Sequence, residues 1–138
     1  MIVKPTWMLD TNVLSEVIRN PRDPITEHFT KIDSNAICTS AIVASELRFG
    51  ARRKGSARLA ERVERLLGAI SVLPFGPPAD IHYADIRSQL ELAGSPIGSH
   101  DLFIAAHARS LDMTLVTRNL REFTRVPDLR VEDWSPRG

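Results

Sequence analysis

Acidic and amide side chains beside apolar segments are the residues of this 138-residue chain best suited to chemistry. Asp10 ends one apolar run, Glu46 falls within a second apolar segment, and Asp101 directly precedes a third. Asn119 and Glu122 follow a fourth apolar run. Carboxylates that lie a few ångströms apart repel one another, so a cluster of them requires shared protons or a divalent cation. Because oxygen ligands select hard ions, the pattern indicates Mg²⁺ or Mn²⁺ acting on phosphodiester or phosphoryl groups.

Four of these residues also have a purely structural interpretation. Asp10 is suited to cap a helix that starts near residue 13. Asp101 stands in a predicted first helical turn, where a carboxylate offsets the helix macrodipole. Asn119 and Glu122 have the spacing of a capping box that opens a short helix. Taken one at a time, these positions leave the structural and the chemical interpretations open.

Glu46 lies on the apolar side of its predicted helix. It follows Ile42 and Val43 by three to four residues and precedes Phe49 by three, so the spacing predicts that it faces inward with them. The alternative is a carboxylate at the edge of the apolar stripe that pairs with a nearby arginine such as Arg48 or Arg52. The sequence alone leaves both interpretations open.

The segments between these residues predict an α/β fold. Short apolar runs bounded by turn-forming residues predict strands at 7–9, 36–39, 70–73, 115–117 and 129–131. Longer segments with helical spacing lie between them, and the helix predicted at 99–111 begins with residues that are apolar on all sides. Strands that alternate with helices form a mostly parallel sheet with helices on both faces, which is a three-layer sandwich. Ligands bind beyond the carboxyl ends of the strands in such sheets, so the acidic residues and Asn119 are expected to converge there.

Composition excludes several classes of protein. Lys and Arg number 18 against 17 Asp and Glu, a net charge of +1, so the chain does not bind nucleic acid by uniform positive charge. Its single cysteine, Cys38, excludes an internal disulfide and a cysteine-rich zinc site, favours a reducing cytoplasm and is expected to be an unreactive buried thiol. The apolar residues before Asp10 are too few for a signal peptide, and no run approaches the roughly 20 residues that span a membrane. The four histidines lack metal-binding spacing and are expected at the surface or at helix caps.

Local positive charge is concentrated between residues 48 and 65. The basic residues of this stretch are Arg48, Arg52, Arg53, Lys54, Arg58, Arg62 and Arg65. A solvated helix face has a similar composition, which is the structural interpretation. The functional interpretation is a patch beside Glu46 that contacts RNA phosphates without reading sequence. The candidate contacts are Arg48, Arg52 and Arg53.

Four sequence motifs, in order along the chain, resemble one family of nucleases. They are LDTNVLSE at 9–16, SELRFGA at 45–51, GSPIGSHDLFIAAHA at 94–108 and LVTRNLREF at 115–123. Together they resemble the VapC-type PIN-domain ribonucleases, the toxin halves of type II toxin–antitoxin pairs. The resemblance implies a single PIN domain over residues 1–138 with the PIN-like three-layer sandwich.

The resemblance also implies roles for individual positions. Asp10, Glu46 and Asp101 match the family's acidic set around Mg²⁺ or Mn²⁺, with Asp10 and Asp101 as the direct metal ligands. Thr117 matches a hydroxyl residue that supports the acidic cluster. Asn119 stands at a fourth catalytic position that is often aspartate. This difference leaves open the number of metals bound and the role of the glutamate three residues later.

A reaction and a set of partners follow from the same resemblance. The expected activity is metal-dependent cleavage of single-stranded or loop RNA by an activated water, leaving 5′-phosphate and 3′-hydroxyl ends. The expected substrate is tRNA, and the LREF motif at 120–123 with the EDW motif at 132–134 resembles enzymes that cut initiator tRNA. Such toxins form homodimers and are inhibited by a VapB-type antitoxin, which places a basic side chain in the acidic pocket and binds the promoter DNA. Helix 57–67 is a candidate contact surface.

Two other functions fit part of the pattern. Metal-dependent phosphatases of the aspartyl-nucleophile type also carry an aspartate after the first strand. They require a second acid two residues later, however, where this chain has Asn12. A non-catalytic binding module would use the acids as helix caps and surface pairs. Metal-dependent cleavage of RNA distinguishes the ribonuclease from both alternatives.

Overall fold

Strands alternate with helices along the chain, as the sequence predicts. The computed structural model describes residues 5–135. The strands are β1 (Trp7–Leu9), β2 (Ile37–Ser40), β3 (Ser71–Leu73), β4 (Thr114–Val116) and β5 (Val131–Glu132). The helices are α1 (Thr11–Arg19), α2 (Pro24–Lys31), α3 (Ala41–Lys54), α4 (Ala57–Ala69), α5 (Ala79–Leu92), α6 (Ser99–Ser110) and α7 (Leu120–Phe123). None of the helices in the described range combines the length and the apolar character that crossing a membrane requires.

A five-stranded sheet in the order β3-β2-β1-β4-β5 forms the centre of the fold. Every adjacent pair of strands is parallel, so the predicted parallel α/β fold is confirmed. The chain moves outward from β1 to β3 and then returns to place β4 on the other side of β1. Because parallel crossovers are right-handed, this reversal puts helices on both faces of the sheet. It also makes the carboxyl ends of β1 and β4 the place where a ligand is expected to bind.

The central strands are buried on both sides. All residues of β2 and β4 are buried, and successive side chains of a strand point to opposite faces of the sheet. Met8, Leu9, Leu115 and Val116 are fully inaccessible to solvent. Cys38 is buried with them, and this burial raises the pKa of its thiol to about 12, which agrees with the unreactive thiol expected from the sequence.

Polar side chains begin three of the helices, and two of these helices start at strand ends. Asp10, Ser40 and Ser56 are the N-caps of α1, α3 and α4, and each side chain accepts a backbone N–H of the first helical turn. Helix α3 ends at Gly55, whose φ of 64° lies in the left-handed region that glycine adopts without steric cost. Helices α1 and α3 therefore start directly at the carboxyl ends of β1 and β2.

Phe49 of α3, which was expected to face inward, is exposed. Its exposed fraction is 63%, and Ile81 of α5, another apolar side chain, is 68% exposed. The buried line of α3 includes Val43, Leu47 and Ala51. Phe49 lies two positions from Leu47 and Ala51, about 200° around the helix, so it points away from the core. The prediction from apolar spacing was wrong here because the stripe of α3 is narrower than its apolar residues suggest.

His107 is buried, and the prediction that it lies at the surface or at a cap was wrong. Its side chain is 2% exposed, and its Nδ1 lies 2.8 Å from the hydroxyl oxygen of Ser40. Its neighbours on α6 include three buried alanines, so the helix packs closely against the rest of the core and leaves the imidazole no route to solvent. His28 and His100, in contrast, are exposed as expected.

Candidate active site at the carboxyl ends of the strands

Asp10 is a buried carboxylate between β1 and α1. It is 3% exposed, and its Oδ1 accepts the N–H of Asn12 at 2.7 Å as the cap of α1. Its Oδ2 accepts the hydroxyl of Thr117, at the end of β4, at 2.6 Å. Burial raises the pKa of Asp10, the two hydrogen bonds oppose this rise, and the charge of Glu46 adds to it. The structural and the chemical interpretations of Asp10 therefore hold together, since one oxygen caps the helix while the carboxylate stays in the site.

Asp101 meets a second carboxyl group at the same edge of the sheet. It lies in the first turn of α6, and its carboxyl group shares a hydrogen bond with that of Glu122. Burial, this hydrogen bond and the charges of Glu122, Asp10 and Glu46 together raise the pKa of Asp101 to about 8. The structure thus brings Asp10, Asp101 and Glu122 into one electrostatically coupled group.

Asn119 lies behind Glu122 and does not complete the capping box that its spacing suggests. It occupies the N-cap position of α7, but its side chain makes no cap hydrogen bond. Its Nδ2 donates instead to Glu122 Oε2 at 3.2 Å. Its backbone N–H donates to the hydroxyl of Thr117 at 2.9 Å, which connects it to Asp10. The carboxylate that faces Asp101 therefore belongs to Glu122, and the amide of Asn119 holds it.

Glu46 faces the site from α3 and is half-buried, with 26% of its side chain exposed. Its Oε1 accepts the hydroxyl of Thr11 at 3.1 Å, and its Oε2 lies 3.9 Å from Nδ1 of His100. The suggested pairing with Arg48 does not form, because that guanidinium binds another acid. Thr11 is a residue that sequence reasoning missed, although its place directly after Asp10 was a usable signal.

The three arginines proposed to contact RNA lie on α3 beyond Glu46. Arg48 forms a two-pronged salt bridge with Glu64 of α4, at 3.0 Å from Nε and 2.9 Å from Nη2. Arg52 and Arg53 are exposed in the last turn of the helix. Arg52 follows Glu46 by six residues, about 9 Å along the helix axis. Arg48 therefore joins α3 to α4, while Arg52 and Arg53 are exposed farther along the helix and do not reach the acidic site.

Oxygen atoms are the donors that this group of acids offers to a metal. Within residues 5–135, no three His, Cys, Asp or Glu side chains stand close enough to hold a metal ion between them. The carboxyl group of Glu122 and the burial of Asp101 raise the pKa of Asp101 to about 8, so Asp101 holds a proton at neutral pH. A hard divalent cation can replace that proton and neutralise the same repulsion, so the donor set fits Mg²⁺ or Mn²⁺.

Comparison with known proteins identifies the family of the chain. Residues 7–129 match the PIN domain. The chain is 39% identical over 129 residues to the tRNA(fMet)-specific endonuclease VapC of Salmonella typhimurium, a match that covers 93% of this chain and 97% of that protein. The chain belongs to the PIN-domain family of VapC ribonucleases. The ribonuclease VapC2 of Haemophilus influenzae is also 39% identical, over 131 residues that cover 93% of this chain and 97% of that protein.

A solved VapC-family structure has the same fold. The crystal structure of VapBC2 from Rickettsia felis bound to a DNA fragment from their promoter contains a chain that matches with a TM-score of 0.87 and 31% identity. The match covers 94% of this chain and 99% of that one. The resemblance found in the sequence motifs is thereby confirmed, and the chain is a ribonuclease of the toxin–antitoxin class. Membership of the PIN nucleases implies dependence on a divalent metal.

Proposed function

We propose that this VapC ribonuclease is a Mg²⁺- or Mn²⁺-dependent endoribonuclease whose active site is formed by Asp10, Glu46, Asp101 and Glu122. The observation that carries the proposal is the buried carboxylate of Asp10, held by the hydroxyl of Thr117, with Asp101, Glu122 and Glu46 close enough that their carboxyl groups raise the pKa of Asp101. Acids from four elements would not be held together in this way for stability alone, since their repulsion destabilises the fold. A cation that joins them and a phosphate offsets this cost.

Each polar contact in the site has a role in this mechanism. Asp10 and Asp101 bind the cation, and Thr117 fixes the carboxylate of Asp10 by donating its hydroxyl proton. Thr11 orients Glu46 in the same way. The side-chain amide of Asn119 donates to Glu122 and orients it. Asn119 therefore acts in the catalytic set as a positioning residue. When bound, the cation supplies an activated water for in-line attack and offsets charge on the phosphate.

Cleavage of RNA by the purified chain, freed of any antitoxin, is expected only with Mg²⁺ or Mn²⁺. Addition of EDTA in excess should remove the activity, and a later excess of Mn²⁺ should restore it, because the carboxylates bind the ion reversibly. Cleavage is measured on labelled RNA, and the ends are tested for the expected 5′-phosphate and 3′-hydroxyl groups. Undiminished cleavage in EDTA would contradict the metal mechanism.

The relatives supply the proposed substrate and partners. The Salmonella relative is a tRNA(fMet)-specific endonuclease, which supports tRNA, and initiator tRNA in particular, as the substrate here. The Rickettsia complex supports a VapB-type antitoxin as the partner that brings the toxin to promoter DNA. The proposal includes a homodimer in the cytoplasm and a single PIN domain over residues 1–138, of which residues 1–4 and 136–138 lie outside the described part.

A groove between α1 and α4 is the surface proposed to bind the antitoxin. Its apolar lining is formed by Val17, Ile18, Pro21, Leu66 and Ala69. The groove includes the part of the candidate surface 57–67 that carries Arg62, Arg65 and Leu66, and a second groove beside it reaches Glu46. An antitoxin segment that follows both grooves would bury apolar side chains in the first and approach the acids at the end of the second.

Charge reversal at Arg52 and Arg53 is expected to weaken RNA binding. Log affinity falls with log salt, and each phosphate contact that is removed makes this fall less steep by about 0.7 for single strands. The double variant R52E/R53E should therefore make it less steep by roughly 1.4. The control is K31E/R87E, which changes the net charge equally at exposed positions on α2 and α5. Binding of catalytically inactive protein to labelled RNA at several salt concentrations measures both. Equal slopes for the two variants would exclude the patch from RNA binding.

A further inference from the structure

A buried hydrogen bond connects the helix that carries Glu46 with the helix that carries Asp101. His107 of α6 places its Nδ1 2.8 Å from Oγ of Ser40, the N-cap of α3. The same Oγ accepts the backbone N–H of Ile42 at 3.0 Å. Both side chains are almost completely buried, Ser40 at 0% and His107 at 2% exposure. None of the chemistry proposed above uses this pair.

The contact of His107 with the carbonyl of Pro74 favours one direction for this hydrogen bond. Oγ of Ser40 accepts from Ile42 and has a single proton, which it can donate to Nδ1 of His107 when the other ring nitrogen carries the ring's proton. The ring then carries its proton on Nε2, where the carbonyl of Pro74 is the available acceptor. Burial lowers the pKa of His107, a change that the Pro74 contact partly opposes, and the neutral ring keeps Nδ1 able to accept. One imidazole thus ties three segments together.

We propose that Ser40 and His107 are positioning residues that hold α3 against α6 and so fix Glu46 relative to Asp101. Asp101 lies six residues before His107 on α6, and Glu46 lies six residues after Ser40 on α3. Each pair is therefore separated by about 9 Å along its helix, too far for direct contact with the acids. The charge of Glu46 disfavours the ionised form of Asp101, so the two helices repel each other at the site once Asp101 has given up its proton and before a cation replaces it. The buried hydrogen bond between Ser40 and His107 opposes that repulsion. The inference rests on the proposed metal-dependent function.

Binding of Mn²⁺ to the full chain, measured by the loss of the free-ion EPR signal, tests the proposal. The variant S40G removes the hydroxyl but keeps most of the capping energy, because glycine costs a helix N-cap only a few tenths of a kcal/mol relative to serine. Its matched control is S56G, which changes the N-cap of α4 in the same way without touching α6. We expect S40G and H107L each to weaken Mn²⁺ affinity about tenfold, as the loss of a supporting hydrogen bond behind a metal site does. The Mn²⁺ affinity of S56G should stay within about twofold of that of the unchanged protein, since S56G leaves the hydrogen bond between Ser40 and His107 intact.

Two further variants separate positioning from simple packing. H107N keeps an acceptor oxygen near the place of Nδ1 and should restore Mn²⁺ affinity to within about threefold, whereas H107L should not. The double variant S40G/H107L should bind Mn²⁺ no more weakly than either single variant, because the two residues act as one unit. The Mg²⁺ concentration that half-saturates RNA cleavage should rise in S40G and H107L, while cleavage at saturating Mg²⁺ recovers.

The outcomes distinguish this inference from the proposed function itself. If the unchanged protein binds no Mn²⁺, the proposed metal site is wrong. If it binds Mn²⁺ and S40G matches S56G, the metal site stands and the positioning role is wrong. Additive losses in the double variant would also overturn it. Circular dichroism establishes whether each variant is folded. If H107L fails to fold, the comparison of Mn²⁺ affinity between S40G and S56G decides the question.

Discussion

The variants D10N and D101N are each expected to lose RNA cleavage by more than about 100-fold while remaining folded. Loss of a hydrogen-bond partner behind a metal ligand already costs 10- to 100-fold, and loss of the ligand's own charge should cost more. The fold should survive because asparagine is as good an N-cap as aspartate at position 10. At position 101, asparagine removes a charge that its neighbours repel. Initial cleavage rates at saturating Mg²⁺, with circular dichroism as the folding check, measure the effect.

The matched control for D101N is D80N. Asp80 stands in the first turn of α5 as Asp101 stands in the first turn of α6, so both variants lose a similar interaction with a helix macrodipole. Asp80 is exposed and takes no part in the acidic cluster. D80N should therefore cleave RNA at the normal rate. Full activity in D101N, or equal losses in both variants, would show that Asp101 is only a structural residue of its helix.

Raising the pH from 5 to 8 in the presence of EDTA is expected to lower the Tm of the unchanged protein relative to that of D101N. The folded protein keeps a proton on Asp101 up to a pKa of about 8, whereas the unfolded chain releases it near 3.8. Between these values the folded state binds more protons, so stability falls as pH rises. D101N does not titrate there, and at pH 8 its Tm should be higher by at least about 4 °C, roughly the effect of 1 kcal/mol in a domain of this size.

With Mg²⁺ at pH 8, the unchanged protein should have a higher Tm than D101N. The cation binds the folded protein and displaces the shared proton, so it should raise the Tm of the unchanged protein more at pH 8 than at pH 5. D101N should gain little at either pH. The Tm is followed by differential scanning fluorimetry over the pH series with EDTA or Mg²⁺. A Tm difference between the two proteins that is independent of pH would show that Asp101 carries no shifted proton.

Topology explains why the main acids could be predicted from the sequence. Parallel strands have their carboxyl ends at one edge of the sheet, so Asp10 after β1 and Thr117 after β4 had to meet once the alternation of strands and helices was recognised. The apolar run that follows Asp101 likewise indicated that α6 packs in the interior, which brings Asp101 to the edge of the core. These inferences depend only on strand direction and on burial, which sequence patterns specify well.

Side-chain directions within a helix could not be predicted in the same way. Apolar spacing placed Phe49 inward, but the width of a buried stripe depends on what packs against it. The choice between Asn119 and Glu122 depends on which of them faces Asp101 across the loop after β4, and spacing along the chain does not determine that. The burial of His107 depends on how closely a helix with alanines approaches its neighbours. Such features arise from tertiary packing.

The position of Mn²⁺ in a crystal of the antitoxin-free protein, located by its anomalous scattering, tests the central claim most directly. The account predicts a peak at about 2 Å from carboxylate oxygens of both Asp10 and Asp101, with the carboxylate of Glu122 turned toward the ion. The peak should be absent from crystals of D101N grown in the same way. Mn²⁺ bound elsewhere on the chain, with the hydrogen bond between Asp101 and Glu122 unchanged, would contradict it.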